Sequence, residues 1–448
     1  MIVHDGQRRP EAHRPTVVFG SGFASREVVR GLVAAGRPVV VVERGGREIG
    51  TADAALSQVA FRREAVRSGG FDFGAQVPPD FDGVPRFVGL GGTASLWSGK
   101  WRALDEIDMR RRHDDRQWPF SLDELEASLA AVACAYGIPS WSSDATLEDW
   151  RTEVEAHDLR LIEIFEQRPP VRLIDQWNEL ERSGLVHIVA EAGLIGVAHT
   201  GSEVHRLDLE TPQGRLAIEP RDVVVACGGI ESVALSEHLR TGKRGDGARF
   251  GGYMDHPKGI VGQLEARRGR DRLAHLMTLR GQASRLIAFA LPADEIERDG
   301  IGNHTAFLWP AGHDGSGSGW QIIINLEQFP ERENFIRLGA RSEVSWRISR
   351  ATWQDMNRFL ERLSKRLSGL LGPVRLESGI QLRGASHPAG CLPMGDGSAR
   401  QVDAAGRVAG CDNVYCASSA VFPVAGSANP TWTVAALGHR LAAHLGRA

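Results

Sequence analysis

The chain has 448 residues, enough for two or three ordinary cores, and its 42% hydrophobic and 24% charged residues match a globular average. Lys and Arg number 53 against 56 Asp and Glu, a net charge of -3 that leaves no basic surplus for nucleic acid. No run reaches the ~18 apolar residues of a membrane span, and the polar start "MIVHDGQRRPEAHRP" has no signal-peptide core. The five cysteines are scattered and contain no C-x-x-C. These features predict a soluble, cytoplasmic protein with neither a disulfide framework nor a metal site. Glycine, at 52 residues, is in excess and points to tight turns and close backbone approaches.

In chain order, the first informative stretch is "TVVFGSGFASREVVRGLVAAGRPVVVVERG". It predicts a buried strand over Thr16–Phe19, a turn at Gly20–Gly22, a helix over 24–35 and a second strand over 38–42. This is the βαβ opening of a dinucleotide-binding fold. Gly20 permits the turn, and Gly22 lets backbone N–H groups approach a pyrophosphate whose charge the helix N-terminus stabilises. Ser25 takes the third glycine position and is small enough for close packing of helix on strand. Glu43, about 20 residues on, is placed to accept a ribose hydroxyl, which favours FAD or NAD over NADP. Phe23, Ala24 and Arg44 complete this binding set.

A second glycine cluster, "FVGLGGTASLWSGKWRALDEIDM", would read alone as a glycine-rich loop. "WPFSLDELEASLAAVACAYGIP" predicts a helix, "DVVVACGGIESVALS" a buried strand ending in Gly228-Gly229, and "GGYMDHP" follows. Alternation in "GWQIIINLEQFPERENFIRL" and "SEVSWRIS" predicts strands, and "TWQDMNRFLERLSKRLSGLLG" an amphipathic helix. "AGHDGSGSGW" reads as a loop or lid. Near the end, "SHPAGCLPMGD" taken alone is a Pro/Gly turn around His387. "GSANPTWTVAALGHRLAAHL" then caps a last helix, over 431–444, with Asn429-Pro430.

Together these blocks resemble the glucose–methanol–choline (GMC) oxidoreductases, FAD-dependent enzymes that oxidise alcohols. The block from His387 through Asn429-Pro430-Thr431 to the final helix is the most specific. The match is weak at about 145–185 and 265–375, where family members build the substrate domain. "ANPTWT" and "GLGGTASLW" look closest to the sugar-oxidising branch, pyranose 2-oxidase-like or similar to glycoside and aminoglycoside-precursor dehydrogenases.

The resemblance implies an α/β fold, α+β overall, with a Rossmann-like FAD/NAD(P)-binding domain and a mainly antiparallel substrate domain. The FAD domain would take 1–110, 185–255 and 380–448, and the substrate domain 111–184 and 256–379. His387 would be the general base and Asn429 its partner on the substrate oxygen. Gly91, Gly92, Thr93, Ser95 and Trp97 would pass along the flavin, and Ser418-Ser419 along the ribityl chain and pyrophosphate. Leu194, Ala226, Asn429, Pro430 and Thr431 would also contact the cofactor. Leu96 stands where pyranose 2-oxidase has its flavin-linked histidine, so FAD is expected to bind non-covalently. His256 in "YMDHP" is either structural or a substrate-side contact. Trp309, Trp320 and Trp346 are either walls for a sugar ring or core packing. The expected reaction takes CH–OH to C=O on a sugar, glycoside or polyol, with oxygen or another acceptor. A lyase role or a non-sugar alcohol is the alternative.

Overall fold

Thr16–Phe19 and Val39–Val42 are four-residue strands buried along their whole length, the pattern of strands covered on both faces. The computed structural model describes residues 14–47, 59–61, 87–110, 116–139, 145–243, 245, 247–269, 273, 279–280, 283–311, 319–339, 342–395 and 401–447. The two strands lie at the centre of a five-stranded parallel sheet. Its order is Val414–Cys416, Val223–Val225, Thr16–Phe19, Val39–Val42, Val186–Val189. The helix Phe23–Ala34 connects the central pair, and a three-stranded meander over Gly193–Thr200, Glu203–Thr211 and Gly214–Ile218 forms a separate small sheet. The expected dinucleotide-binding architecture is present, with its first helix starting one residue early and its second strand one residue late.

The parallel sheet takes strands from both ends of the chain, and helix packing binds those ends together. The last helix, Thr431–Arg447, runs three residues past its expected end and packs along Phe23–Ala34. A Cβ at Gly438 would lie 2.4 Å from the Ala24 carbonyl oxygen, and one at Gly31 would lie 2.5 Å from the Ala442 Cβ. Glycine on each helix lets the two backbones approach until the C-terminal segment borders the nucleotide turn.

Gly20 has a stricter requirement. Its φ is +92°, and a Cβ there would lie 2.5 Å from the Ala226 carbonyl oxygen on the neighbouring strand's exit. Gly20→Ala is therefore expected to destabilise the protein by about 2 kcal/mol or more. Chemical denaturation would show this as a lower unfolding midpoint.

The second layer is a nine-stranded sheet in which every pairing is antiparallel. Its main path runs Val374–Leu376, Pro257–Glu265, Gly319–Asn325, Thr305–Pro310, Ala283–Ala290, Arg160–Gln167, Lys100–Trp101. Arg383–Gly384 joins alongside Pro257-Lys258. The helix Arg350–Leu370 packs on this sheet. Ser349 caps it by accepting the Thr352 N–H, and its stripe of Met356, Phe359, Leu360, Leu363, Leu367 and Leu370 is buried. The strand predicted in "GWQIIINLEQ…" stops at Asn325, and the chain resumes as a strand only at Phe335–Arg337. That second piece belongs to another sheet, with Arg249–Gly251, Ser342–Ser345 and Val59–Phe61. Most of "AGHDGSGSGW" lies outside the described residues.

"WPFSLDELEASLAAVACAYGIP" forms the helix Leu122–Tyr136, opened by a Ser121–Glu124 capping box and closed by Gly137 in the left-handed conformation. All five cysteines are free. Among the described residues, no helix is long and apolar enough to cross a membrane.

Candidate functional site

A short antiparallel pair, Tyr253–Met254 with Ala389–Gly390, joins the "YMDHP" and "HPAG" segments across more than a hundred residues of sequence. It brings His256 and His387 ring to ring, with their Nδ1 atoms 3.0 Å apart. Beneath both sits Asp255, buried, whose Oδ1 accepts the backbone N–H groups of His256 (2.7 Å), His387 (2.9 Å) and Ala385 (3.2 Å). Between Ala385 and His387, Ser386 is held at φ +62°, a left-handed conformation that costs a non-glycine residue about 1 kcal/mol or more. One carboxylate therefore clasps a strained turn and sets the direction of the histidine after it.

The far side of that turn is packed as tightly. Ser419 Oγ donates to the Pro388 carbonyl at 2.6 Å, and a Cβ at Gly229 would lie 2.2 Å from the same oxygen. Ser419 thus holds the histidine segment as well as lining the cavity.

Hydrogen-bond bookkeeping assigns the tautomers. Asn325 Nδ2 donates to the Ser427 carbonyl at 2.6 Å, which fixes its amide with the NH2 group on this side. The same nitrogen lies 3.4 Å from His256 Nδ1, making that ring nitrogen an acceptor. His387 Nδ1 therefore carries a hydrogen and donates to His256. In a neutral ring this leaves His387 Nε2 with its lone pair, and the Asn429 Nδ2 amide lies 3.3 Å from it. His387 is neutral at pH 7, because burial first, then His256, Lys258 and Lys100, hold its pKa well below the usual imidazole value. Burial likewise pushes His256 down to about 4 and lifts the Asp255 carboxyl to about 6, against the backbone N–H groups that favour its ionised form.

His387 and Asn429 stand at one end of a continuous cavity of 1330 Å³, larger than the ~300–1,000 Å³ of common small-ligand pockets. Its other end is the nucleotide turn. Gly20, Gly22, Phe23, Ala24, Glu43, Arg44, Gly92, Thr93, Trp97, Leu194, Ala226, Ser418, Ser419, Pro430 and Thr431 all line it, as does Leu96. Three expected contacts do not. Ser25 is buried and donates to the Gly20 carbonyl at 2.7 Å, so it closes the turn from behind. Gly91, at φ +96°, donates its N–H to Ser21 Oγ at 2.9 Å, and Ser95 lies buried beneath it. These three shape the backbone and do not form the wall.

Ser21 was missed because it sits between two glycines that carry the motif. Its hydroxyl donates to Glu43 Oε2 at 2.5 Å, linking the first glycine turn to the acid and to the second cluster. The Gly45 N–H donates to Glu43 Oε1 at 3.0 Å. Burial raises the Glu43 pKa while these bonds oppose the rise. The three tryptophans divide. Trp309 is 40% exposed and lines the cavity, Trp320 belongs to the core of the antiparallel layer, and buried Trp346 donates to Gln328.

A dinucleotide cofactor fits this wall. A methyl group at Gly22 would meet no protein atom within 4 Å, so the turn opens onto free space beside the N-terminus of Phe23–Ala34. Fold and cavity together define a dinucleotide-binding protein. Residues 331–438 match the GMC oxidoreductase C-terminal domain. That match covers the C-terminal quarter of the chain, from the strand Phe335–Arg337 into the last helix.

Solved structures share the fold over nearly the whole chain. Pyridoxine 4-oxidase from Mesorbium loti superposes with a TM-score of 0.63 at 16% identity, over 97% of this chain and 99% of that one. An FAD-dependent oxidoreductase from Chaetomium thermophilum gives 0.63 at 12% identity, over 97% and 99%. A formate oxidase variant from Aspergillus oryzae RIB40 gives 0.60 at 14% identity, over 96% and 98%. No curated protein matches the sequence.

Proposed function

We propose that the protein oxidises the carbinol carbon of a polar, hydroxyl-bearing small molecule, with His387 as general base. The observation that carries this reading is the pairing of His387 Nε2 with the Asn429 amide, 3.3 Å apart on the cavity wall. When bound, FAD supplies the hydride acceptor. His387 Nε2 takes the proton of the substrate hydroxyl, and His256 Nδ1 accepts the His387 Nδ1–H and so keeps Nε2 free of hydrogen. The Asn429 amide can donate to the substrate oxygen without competing for its proton.

A sugar or glycoside is the substrate class we favour, supported by Trp309 and Asn325 as aromatic and amide surfaces on the wall. Pyridoxine 4-oxidase and formate oxidase are named for non-sugar substrates, which supports a non-sugar alcohol as the second reading. Both names also support oxygen as the electron acceptor. Leu96 on the wall offers no linking nitrogen, in keeping with non-covalent FAD.

We further propose the discontinuous division of the chain into FAD and substrate parts. All five strands of the parallel sheet fall in the segments assigned to FAD. Lys100–Trp101 and Arg383–Gly384 cross that division to join the antiparallel sheet.

The test is anaerobic mixing of the FAD-loaded protein with a panel of sugars, polyols and simple alcohols. Bleaching of the flavin by at least one of them is the expected result, with FAD released on acid precipitation. A flavin that stays oxidised throughout, in protein that holds FAD, would count against alcohol oxidation.

A further inference from the structure

The cavity wall beside His387 carries more positive charge than the proposed chemistry uses. Lys258 and Arg383 are direct register partners across an antiparallel strand pair, and both line the cavity. Like charges directly opposite one another destabilise a sheet. Lys100 lines the same cavity, but Glu166 pairs with it at 2.8 Å. Lys258 has no carboxylate partner among the described residues; its recorded neighbour is the face of Phe307, 5.6 Å from the ring centroid. Burial first, then Lys100 and Arg383, pull its pKa down to about 8, with no acid acting in the other direction.

The surroundings sharpen the imbalance. The cavity-lining acids Glu43, Glu210 and Glu231 lie on the second strand of the parallel sheet's exit, on the meander and on the first turn of Gly228–Thr241. None lies on the antiparallel strands that carry Lys258, Asn325 and Arg383. Leu286, Phe307 and Ile323 are apolar neighbours on that wall, where low polarisability strengthens any charge–charge contact. The half-buried Lys258 ammonium, on an apolar wall of a ligand cavity and without a carboxylate among the described residues, is placed to take an anion.

We propose that the substrate is an alcohol bearing a carboxylate or phosphate group, held by Lys258 and Arg383 while its hydroxyl faces His387. The inference rests on the alcohol-oxidation reading and adds the substrate's charge. Lysine supplies a point charge and arginine a planar fork for two oxygens, a combination that suits either anionic group.

The test measures anaerobic flavin reduction of the FAD-loaded protein by glucose, glucuronate and glucose 6-phosphate. At least one anion is expected to exceed glucose in kcat/KM by about ten-fold or more, the worth of one charge-assisted hydrogen bond. Which anion does so separates carboxylate from phosphate. Lys258→Met should collapse the anion-to-glucose ratio toward one, and Lys258→Arg should restore most of it. A wild-type ratio at or below one for both anions would overturn the proposal, as would a ratio that Lys258→Met leaves intact.

A second readout keeps the two readings apart. Sodium acetate and inorganic phosphate are titrated into the FAD-loaded protein while its flavin absorbance is followed. If no alcohol bleaches the flavin, the alcohol reading fails. A spectral shift in wild type that is lost in Lys258→Met would then still sustain the anion site, and no shift with either anion would overturn it.

Discussion

His387→Ala is expected to slow anaerobic flavin reduction by about 10²–10⁴-fold, the usual contribution of a positioned general base, while the protein still folds and binds FAD. The expectation follows from one atom. Nε2 is the only ring nitrogen of His387 left to take a proton, because Nδ1 is committed to His256. The pH profile makes the same point independently. His387 acts as a base only when neutral, and burial with nearby cations keeps its pKa well below about 6.5. The kcat/KM of the wild type should therefore be level around neutrality and fall only at pH well under 6.5. An acid limb centred near 6.5 or above would mean that another group controls the proton.

The second large effect falls on Asp255. Asp255→Ala would take the buried carboxylate acceptor from the His256 and His387 N–H groups, while the Ala385 N–H keeps the His256 carbonyl at 3.0 Å, and would release the strained turn at Ser386. A stability loss of about 2–4 kcal/mol is expected by chemical denaturation, together with slower flavin reduction, since His387 is no longer aimed. Asp255→Asn keeps an acceptor oxygen and should lose less than half as much.

The sign of the pH dependence is also determined. The folded protein raises the Asp255 carboxyl to about 6, so it favours the protonated form relative to the unfolded chain. The stability this group contributes is present below an unfolded value near 3.9 and is lost as pH rises through about 6. Wild-type stability measured against Asp255→Asn should fall across that window. A difference that stays flat would show that Asp255 does not titrate there.

Local chemistry made the opening βαβ unit readable. "TVVF", two glycines, a helical spacing and "VVVVE" each act within a few residues, and they are consistent with one another. His387 and Asn429 were singled out only through a resemblance, since a histidine before a proline has no local signature of catalysis. What supports them was not readable, because it depends on pairings between distant segments. Asp255 reaches His387 only through the register of Tyr253–Met254 on Ala389–Gly390. The Lys258–Arg383 juxtaposition likewise arises from strands far apart in sequence. Hydrophobic alternation placed strands in the antiparallel layer but could not assign "NFIRL" to a different sheet from "QIIIN". The same limit applies to the tryptophans, whose composition is identical whether they face a core, as Trp320 does, or a cavity, as Trp309 does. Ser25, Gly91 and Ser95 match motif positions yet act from behind the wall.

The central claim is alcohol oxidation at the His387 end of the cavity. Its most direct test is single-turnover flavin bleaching without air, using the best alcohol of the panel and the same alcohol deuterated at the carbinol carbon. Bleaching by the first and clearly slower bleaching by the second is the predicted result. A flavin indifferent to every alcohol, or bleached with no change in rate on deuteration and no loss in His387→Ala, would contradict it.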